Sequence, residues 1–513
     1  MSMQALPEHG GSANPEGSGR APISLSLISH TNVGKTTLAR TLLRRDIGEV
    51  RDAAHVTETS DVFVLIDTPQ GDELRLWDTP GFGDSARLLK RLKHSGNALG
   101  WFLTQVWDRY VDRPFFSSQQ AMRNVRDEAD VVLYLVNASE DPAGAGYVDA
   151  EMQILGWTAK PVVVLLNQLG APRPAEVEAA EVSRWASHLA GYPWVRDTLA
   201  FDAFARCWVQ EHVLLDRIGA VLPEERRATF DRLADAWKAR NRAVFEQSLQ
   251  ALARQLAATA TDTVTLPTTG LKDAARSWIG SLLRPGERSD AVADTAMGEL
   301  AQRLDGEVRR AMDELIALHG LSGRAATEVL QRMGAQLDVD KAADPAKASM
   351  LGAAVSGALG GLAADLAAGG LTFGAGALLG GLLGAAGARG IASAYNTARG
   401  TDATTVRWSA EFMTGRVAAA VLRYLAVAHF GRGRGDFVAA EYPAHWGALV
   451  AEVVAPRGAA LAELWAGAAR GDPPAVIESR LRAPLEAIAA EVLGRLYPSR
   501  APSGGATGSA SRA

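Results

Sequence analysis

The chain has 513 residues, 47% hydrophobic and 22% charged, ordinary for a folded protein but long for one core, so two or three domains are expected. A formal net charge of −5 argues against a nucleic-acid-coating surface, and no nucleic-acid partner is expected. The single cysteine, Cys207, excludes a disulfide within one chain.

Residues 1–21 are rich in Gly, Ser, Pro and Glu and lack a basic start followed by an apolar run. They read as a disordered tail without a secretion signal, which points to the cytoplasm. From Pro22 the pattern alternates strand, loop and helix. Ile23 to Ile28 suits a strand, Ser29 to Thr36 a loop, and Thr37 to Arg45 a helix. Asp61 to Asp67 and Leu74 to Trp77 flank a Pro69-Gln70-Gly71-Asp72 turn and read as a hairpin. Val131 to Val136 and Val162 to Leu166 are continuous apolar runs of strand length, as parallel strands covered on both faces are. The expected fold is therefore an α/β, doubly wound, mostly parallel sheet over 22–215. After it the strand signals stop. Leu222 to Leu256, Asp290 to Leu318, Arg407 to Phe430 and Ala444 to Tyr497 have helical spacing, so 216–498 is expected to be an all-α C-terminal domain, with a disordered tail over 499–513.

Ser29-His30-Thr31-Asn32-Val33-Gly34-Lys35-Thr36 follows a strand and opens a helix, the context a P-loop requires. Its backbone N–H groups and the helix N-terminus cradle phosphate, with Thr37 counted in the same binding set. Lys35 is expected to bridge the β- and γ-phosphates and Thr36 to ligate magnesium. Ser29 stands where the usual pattern has its first glycine. Next comes Trp77-Asp78-Thr79-Pro80-Gly81-Phe82-Gly83-Asp84. Asp78 at a strand end can hold magnesium through its water shell, and the Gly81 N–H can sense the γ-phosphate. Between the two motifs, Asp46 to Ser60 is a polar connection in which Thr57 is assigned to magnesium and the γ-phosphate, and Thr59 is the rival. At the base site Asn167-Gln168-Leu169-Gly170 replaces the usual Asn-Lys-x-Asp. Asn167 is expected to contact the base edge and brace the P-loop, and Gln168 to lie along the base plane. Gly170 lacks the carboxylate that reads guanine.

These residues resemble the Era/TrmE branch of bacterial P-loop GTPases over Pro22 to Gln210. A closer likeness is to a bacterial family of such GTPases with a C-terminal domain of unknown function and a glycine-rich apolar segment. It rests on Asn124 to Asp130, Leu135 to Glu140, Asn167 to Gly170 and Asp202 to Trp208. The resemblance implies magnesium-dependent hydrolysis of GTP to GDP and phosphate as a molecular switch. Phe82 occupies the place where Ras-like proteins carry a water-orienting glutamine. Some members of the branch use the residue matching Asn32 to bind potassium. That implies either potassium-stimulated turnover with a homodimer through the GTPase domain or a protein partner, or an Asn32 that only caps the loop.

Ala348 to Ala388 is almost wholly Gly, Ala and Leu, with Asp365 its only charge, and Gly376, Gly380 and Gly384 share one helical face. It reads as a helical hairpin buried in the C-terminal domain, as one dipping into a membrane, or as one that inserts only in one nucleotide state. Trp101, Phe102, Trp107, Tyr110, Phe115 and Phe116 form either core or a partner surface. A non-hydrolysing nucleotide-binding scaffold, or a membrane-inserting protein, is the rival to the GTPase reading.

Overall fold

The computed structural model describes residues 21–44, 60–93, 98–104, 113–170, 172–203, 207–266, 291–321, 404–430 and 443–498. Thr57 and the apolar stretch 348–388 lie outside the described residues, as do Trp107 and Tyr110.

Six strands form one sheet in the order β2-β3-β1-β4-β5-β6. They are β1 (Ile23–Ser29), β2 (Asp61–Asp67), β3 (Glu73–Asp78), β4 (Val131–Asn137), β5 (Val162–Asn167) and β6 (Val195–Ala200). Only the β2–β3 pair is antiparallel, because the two strands are joined by the short Thr68–Asp72 turn. Side chains alternate between two buried layers, as the strand period of two requires. Ile28, Val132, Tyr134, Val164 and Leu166 face one layer with Phe102, Phe115 and Trp185. Leu25, Leu27, Leu76, Leu133 and Leu165 face the other. Helices α1 (Lys35–Leu43) and α7 (Trp208–Val221) cover the second face. The first is covered by α2 (Ser85–Leu92), α3 (Ala98–Thr104), α4 (Arg113–Asp127), α5 (Gly146–Gly156) and α6 (Ala175–Leu189). This is the expected doubly wound fold. The serines of β1 are tolerated in a central strand because they are paired: Ser26 Oγ donates to Asn124 Oδ1 of α4 at 2.6 Å. Phe102 and Phe115 are core, not surface.

Residue 215 falls inside α7. Leu214, Leu215 and Ile218 of α7 belong to the sheet's second core layer. So do Phe230, Leu233 and Trp237 of the next helix, α8 (Glu224–Thr261). The far half of α8, from Phe245 to Ala260, belongs instead to the core of the helical region. A helix of 38 residues spans about 57 Å, so one rigid element serves both cores and no linker separates them. Around its far half pack α9 (Ala291–Leu318), α10 (Ala410–Ala428), α11 (Ala444–Val454), α12 (Gly458–Arg470) and α13 (Pro474–Leu496). The region is helical as expected, with one addition: β7 (Thr263–Leu266) and β8 (Thr404–Arg407) form a two-stranded antiparallel ribbon. At the junction, Trp208 donates its Nε1–H to the Tyr424 hydroxyl at 2.8 Å. Beside it, Glu211 accepts from Trp237 Nε1 at 2.6 Å and Asn241 Nδ2 at 2.7 Å, and Arg44 at the end of α1 reaches Asn241 Oδ1. Among the described residues no helix is long and apolar enough to cross a membrane.

Candidate functional site

The loop between β1 and α1 sits at the C-terminal edge of the parallel strands, where ligands of open α/β sheets bind. Gly34 takes φ +98°, and a Cβ there would lie 2.8 Å from Asn167 Nδ2, so backbone and space both demand glycine. Asn167 is fully buried at the end of β5. It donates Nδ2–H to the Val33 carbonyl at 2.6 Å and accepts the Ala203 N–H on Oδ1 at 2.8 Å. It therefore braces the loop, as its position suggested. Asn32 is exposed at the loop's lip with φ +65°, and Gln168 follows β5 with φ +59°.

Lys35 is buried, with its Nζ donating to Ser29 Oγ at 2.9 Å. Burial pulls its ammonium down from 10.5 to about 8, against the attraction of Asp78 and then Glu151. The Thr36 hydroxyl donates to Asp78 Oδ2 at 2.7 Å across 42 residues of sequence. Burial pushes the Asp78 carboxyl up to about 6, opposed by the Thr36 hydrogen bond and by Lys35. Its Oδ1 is buried with no hydrogen-bond partner. A carboxylate oxygen beside a threonine hydroxyl is the donor chemistry of a hard divalent cation, so the residues present fit magnesium. Thr37 is buried behind the loop.

The segment after β3 lies directly on the 29–36 loop. Phe82 N–H donates to the Ser29 carbonyl at 2.9 Å, and Thr79 Oγ1 donates to the Leu27 carbonyl at 2.5 Å. A Cβ on Gly81 would sit 3.0 Å from Lys35 Nζ and 3.1 Å from Thr31 Cα, so a side chain there would force Lys35 or the Thr31 backbone to give by a few tenths of an ångström. The Phe82 side chain is fully buried in the first core layer, pointing away from any water-positioning role.

Glu151, in the middle of α5 and fully buried, is a residue sequence reasoning missed. Its Oε1 lies 2.7 Å from His30 Nδ1 of the phosphate loop and accepts from the Ser85 hydroxyl at the start of α2. Its Oε2 accepts the Tyr134 hydroxyl of β4 at 2.6 Å. His30 also stacks on Tyr147, with ring centroids 4.4 Å apart. No local motif marks Glu151; α5 carries Asp149 as well, and nothing in the sequence says which of the two acids is buried.

A family model described as "50S ribosome-binding GTPase" matches residues 24–168, and one described as "Domain of unknown function (DUF3482)" matches residues 195–470, more than half of the chain. The chain belongs to the DUF3482 family. Its N-terminal part is an Era-like P-loop GTPase domain. GTPase Era of Heliobacterium modesticaldum is 28% identical over 145 residues, which is 28% of this DUF3482 protein and 39% of Era. The DUF3482 protein thus matches well under half the length of that curated relative. Among solved structures, Era in complex with MgGDPNP and nucleotides 1506–1542 of 16S ribosomal RNA gives a TM-score of 0.30 at 19% identity, covering 40% of this chain and 58% of that one. A variant of Aquifex aeolicus Era bound to GDP.AlF4- gives 0.30 at 18%, with the same 40% and 58%. A variant of S. thermophilus NFeoB bound to GMPPNP gives 0.25 at 14%, covering 58% of this chain and 97% of that one.

Proposed function

We propose that this chain binds GTP with magnesium between the 29–36 loop and the end of β3, hydrolyses it to GDP and phosphate, and passes the nucleotide state to the helical region as a molecular switch. The observation that best supports this is the convergence of Lys35, Thr36, Asp78 and Gly81 from two separate segments. Lys35 carries positive charge to the β- and γ-phosphates. Thr36 and Asp78 would hold the metal, Asp78 through its water shell, and Thr57, before β2 in the sequence, is assigned to it with them. Magnesium would supply positive charge that neutralises the phosphates. The Gly81 N–H follows the γ-phosphate, and Asn167 with Gln168 lines the base. Because Phe82 is core, the attacking water must be ordered from elsewhere. Potassium at Asn32, a second copy across the GTPase domain, or a protein partner are the proposed sources. The long α8, shared by both cores, is the proposed route by which the nucleotide state reaches the helical output, in the cytoplasm or at the inner face of a membrane.

Turnover by the purified chain, with GTP and ATP each in potassium and in sodium, tests this. The expected result is magnesium-dependent GTP hydrolysis, faster in potassium, falling by roughly 100- to 1,000-fold in Lys35→Ala as a charge aimed at the transferring phosphate is lost. Asn32→Ala is expected to erase the difference between the two cations. Tight binding with no turnover under any condition would leave a non-hydrolysing scaffold. Gly81→Ala is expected to slow turnover by about 100-fold by displacing Lys35 Nζ or the Thr31 backbone. Single-turnover kinetics check this, and a rate within twofold of wild type would show that the two segments separate when nucleotide binds.

A further inference from the structure

The 29–36 loop opens on Ser29, where a glycine is usual, and the backbone there does not require one. Ser29 closes the extended strand β1, and within the loop only Asn32 and Gly34 take a positive φ. The Ser29 side chain is instead put to use inside the fold, where it is fully buried. Its hydroxyl donates to the His30 carbonyl, so the hydrogen is committed and lone pairs face the other neighbours. Those lone pairs accept from Lys35 Nζ at 2.9 Å. The Ser29 carbonyl meanwhile accepts the Phe82 N–H at 2.9 Å, which ties the same residue to the segment after β3. Lys35 is only 7% exposed, and its Nζ lies 3.0 Å from the place a Cβ on Gly81 would take. One serine thus holds both the lysine and the segment that closes over it.

Resting on the reading that this loop takes a nucleoside triphosphate, we propose that Ser29 is a positioning residue: its hydroxyl anchors one N–H of the Lys35 ammonium and leaves the other two for the β- and γ-phosphates. An ammonium on a flexible four-carbon stem has three donors and many rotamers. Anchoring one donor on a fixed acceptor selects the rotamer before nucleotide arrives, so less order has to be imposed when it binds. Once nucleotide excludes water from the loop, the same bond keeps the third N–H from being stranded. A glycine at position 29 offers neither effect.

The test is equilibrium binding of GTP with magnesium by the full-length chain and by Ser29→Ala, Lys35→Ala and the double variant, with titration carried into the millimolar range. Ser29→Ala is expected to weaken GTP binding by roughly 10-fold, the scale of one hydrogen bond to a charged group. With Lys35→Ala already present, the same substitution should cost less than about twofold, because the hydroxyl then has no ammonium to hold. A serine that only satisfies the strand end would weaken both backgrounds alike, so additive losses overturn the assignment. Unchanged or tighter GTP binding in Ser29→Ala overturns it too; tighter binding would mean that the hydroxyl draws the lysine away from phosphate. Should Ser29→Ala not fold, Ser29→Gly, which restores the usual residue, carries the same cycle with the same expectations. Failure of wild type to bind GTP, or a Lys35→Ala variant that binds it as tightly as wild type, would instead remove the phosphate-site reading, and this assignment with it.

Discussion

Asp78→Asn is expected to make the nucleotide-free protein more stable at pH 7 and to abolish magnesium-dependent nucleotide binding. The carboxyl of Asp78 titrates near 3.8 in the unfolded chain and about 6 in the fold, where burial opposes its charge. Between those values the folded state holds the proton longer, so stability falls as pH climbs from about 4 to about 6 and the penalty then persists. A tenfold change in proton affinity corresponds to about 1.4 kcal/mol, and some of the gain is forfeited because Lys35 loses the first-named of its two attractions, so about 2 kcal/mol is expected. An asparagine keeps an oxygen for the Thr36 hydroxyl and carries no charge to desolvate. Urea unfolding followed by circular dichroism from pH 4 to 8 measures this. Wild type should lose stability across the acid window and the variant should not. Titration with magnesium and GTP should raise the unfolding midpoint of wild type alone. A variant less stable than wild type at pH 7 would mean that the charge is compensated inside the fold. Asp78 would then be a structural residue.

What could be read from the chain depends on how local each signal is. The 29–36 loop and the 78–81 segment are contiguous, so their residue types announce their chemistry before any fold is known. Strands β1, β4 and β5 are buried on both faces, which turns them into apolar runs. Strand β6, Val195 to Ala200, lies at the sheet edge and is half exposed, with Arg196 and Asp197 in it, so no run appears. The four-residue strands β7 and β8 are too short for any periodicity, and their pairing joins residues about 140 positions apart. That α8 serves two cores is hidden because it is one unbroken helix of 38 residues with no Gly or Pro to mark where its two halves part. Glu151 is hidden for a third reason. Its partner His30 lies 121 residues away in sequence, so only the closed fold reveals it.

Glu151→Ala is expected to cost roughly 3–5 kcal/mol, because it strands buried donors that the fold cannot hand to water. Burial holds the Tyr134 phenol well above its ordinary range, and it has Glu151 as its acceptor; Ser85 is almost as deeply placed. His30, by contrast, is partly exposed and can find water, so His30→Ala should cost less than about 1 kcal/mol. The functional expectation differs from the stability one. Glu151 ties the phosphate loop, through His30, to the first residue of α2, the helix that follows Gly81. It also helps keep the Lys35 ammonium protonated. Glu151→Gln keeps the volume and removes the charge, so the Lys35 value should fall below about 8 and triphosphate binding should weaken at a lower pH than in wild type. Nucleotide affinity from pH 6.5 to 9 reads this directly. An alkaline limb at the same pH in both proteins would show that Glu151 only fills and satisfies the core. A limb displaced toward neutrality, with folding intact, would show that a buried carboxylate on α5 sets the charge of Lys35.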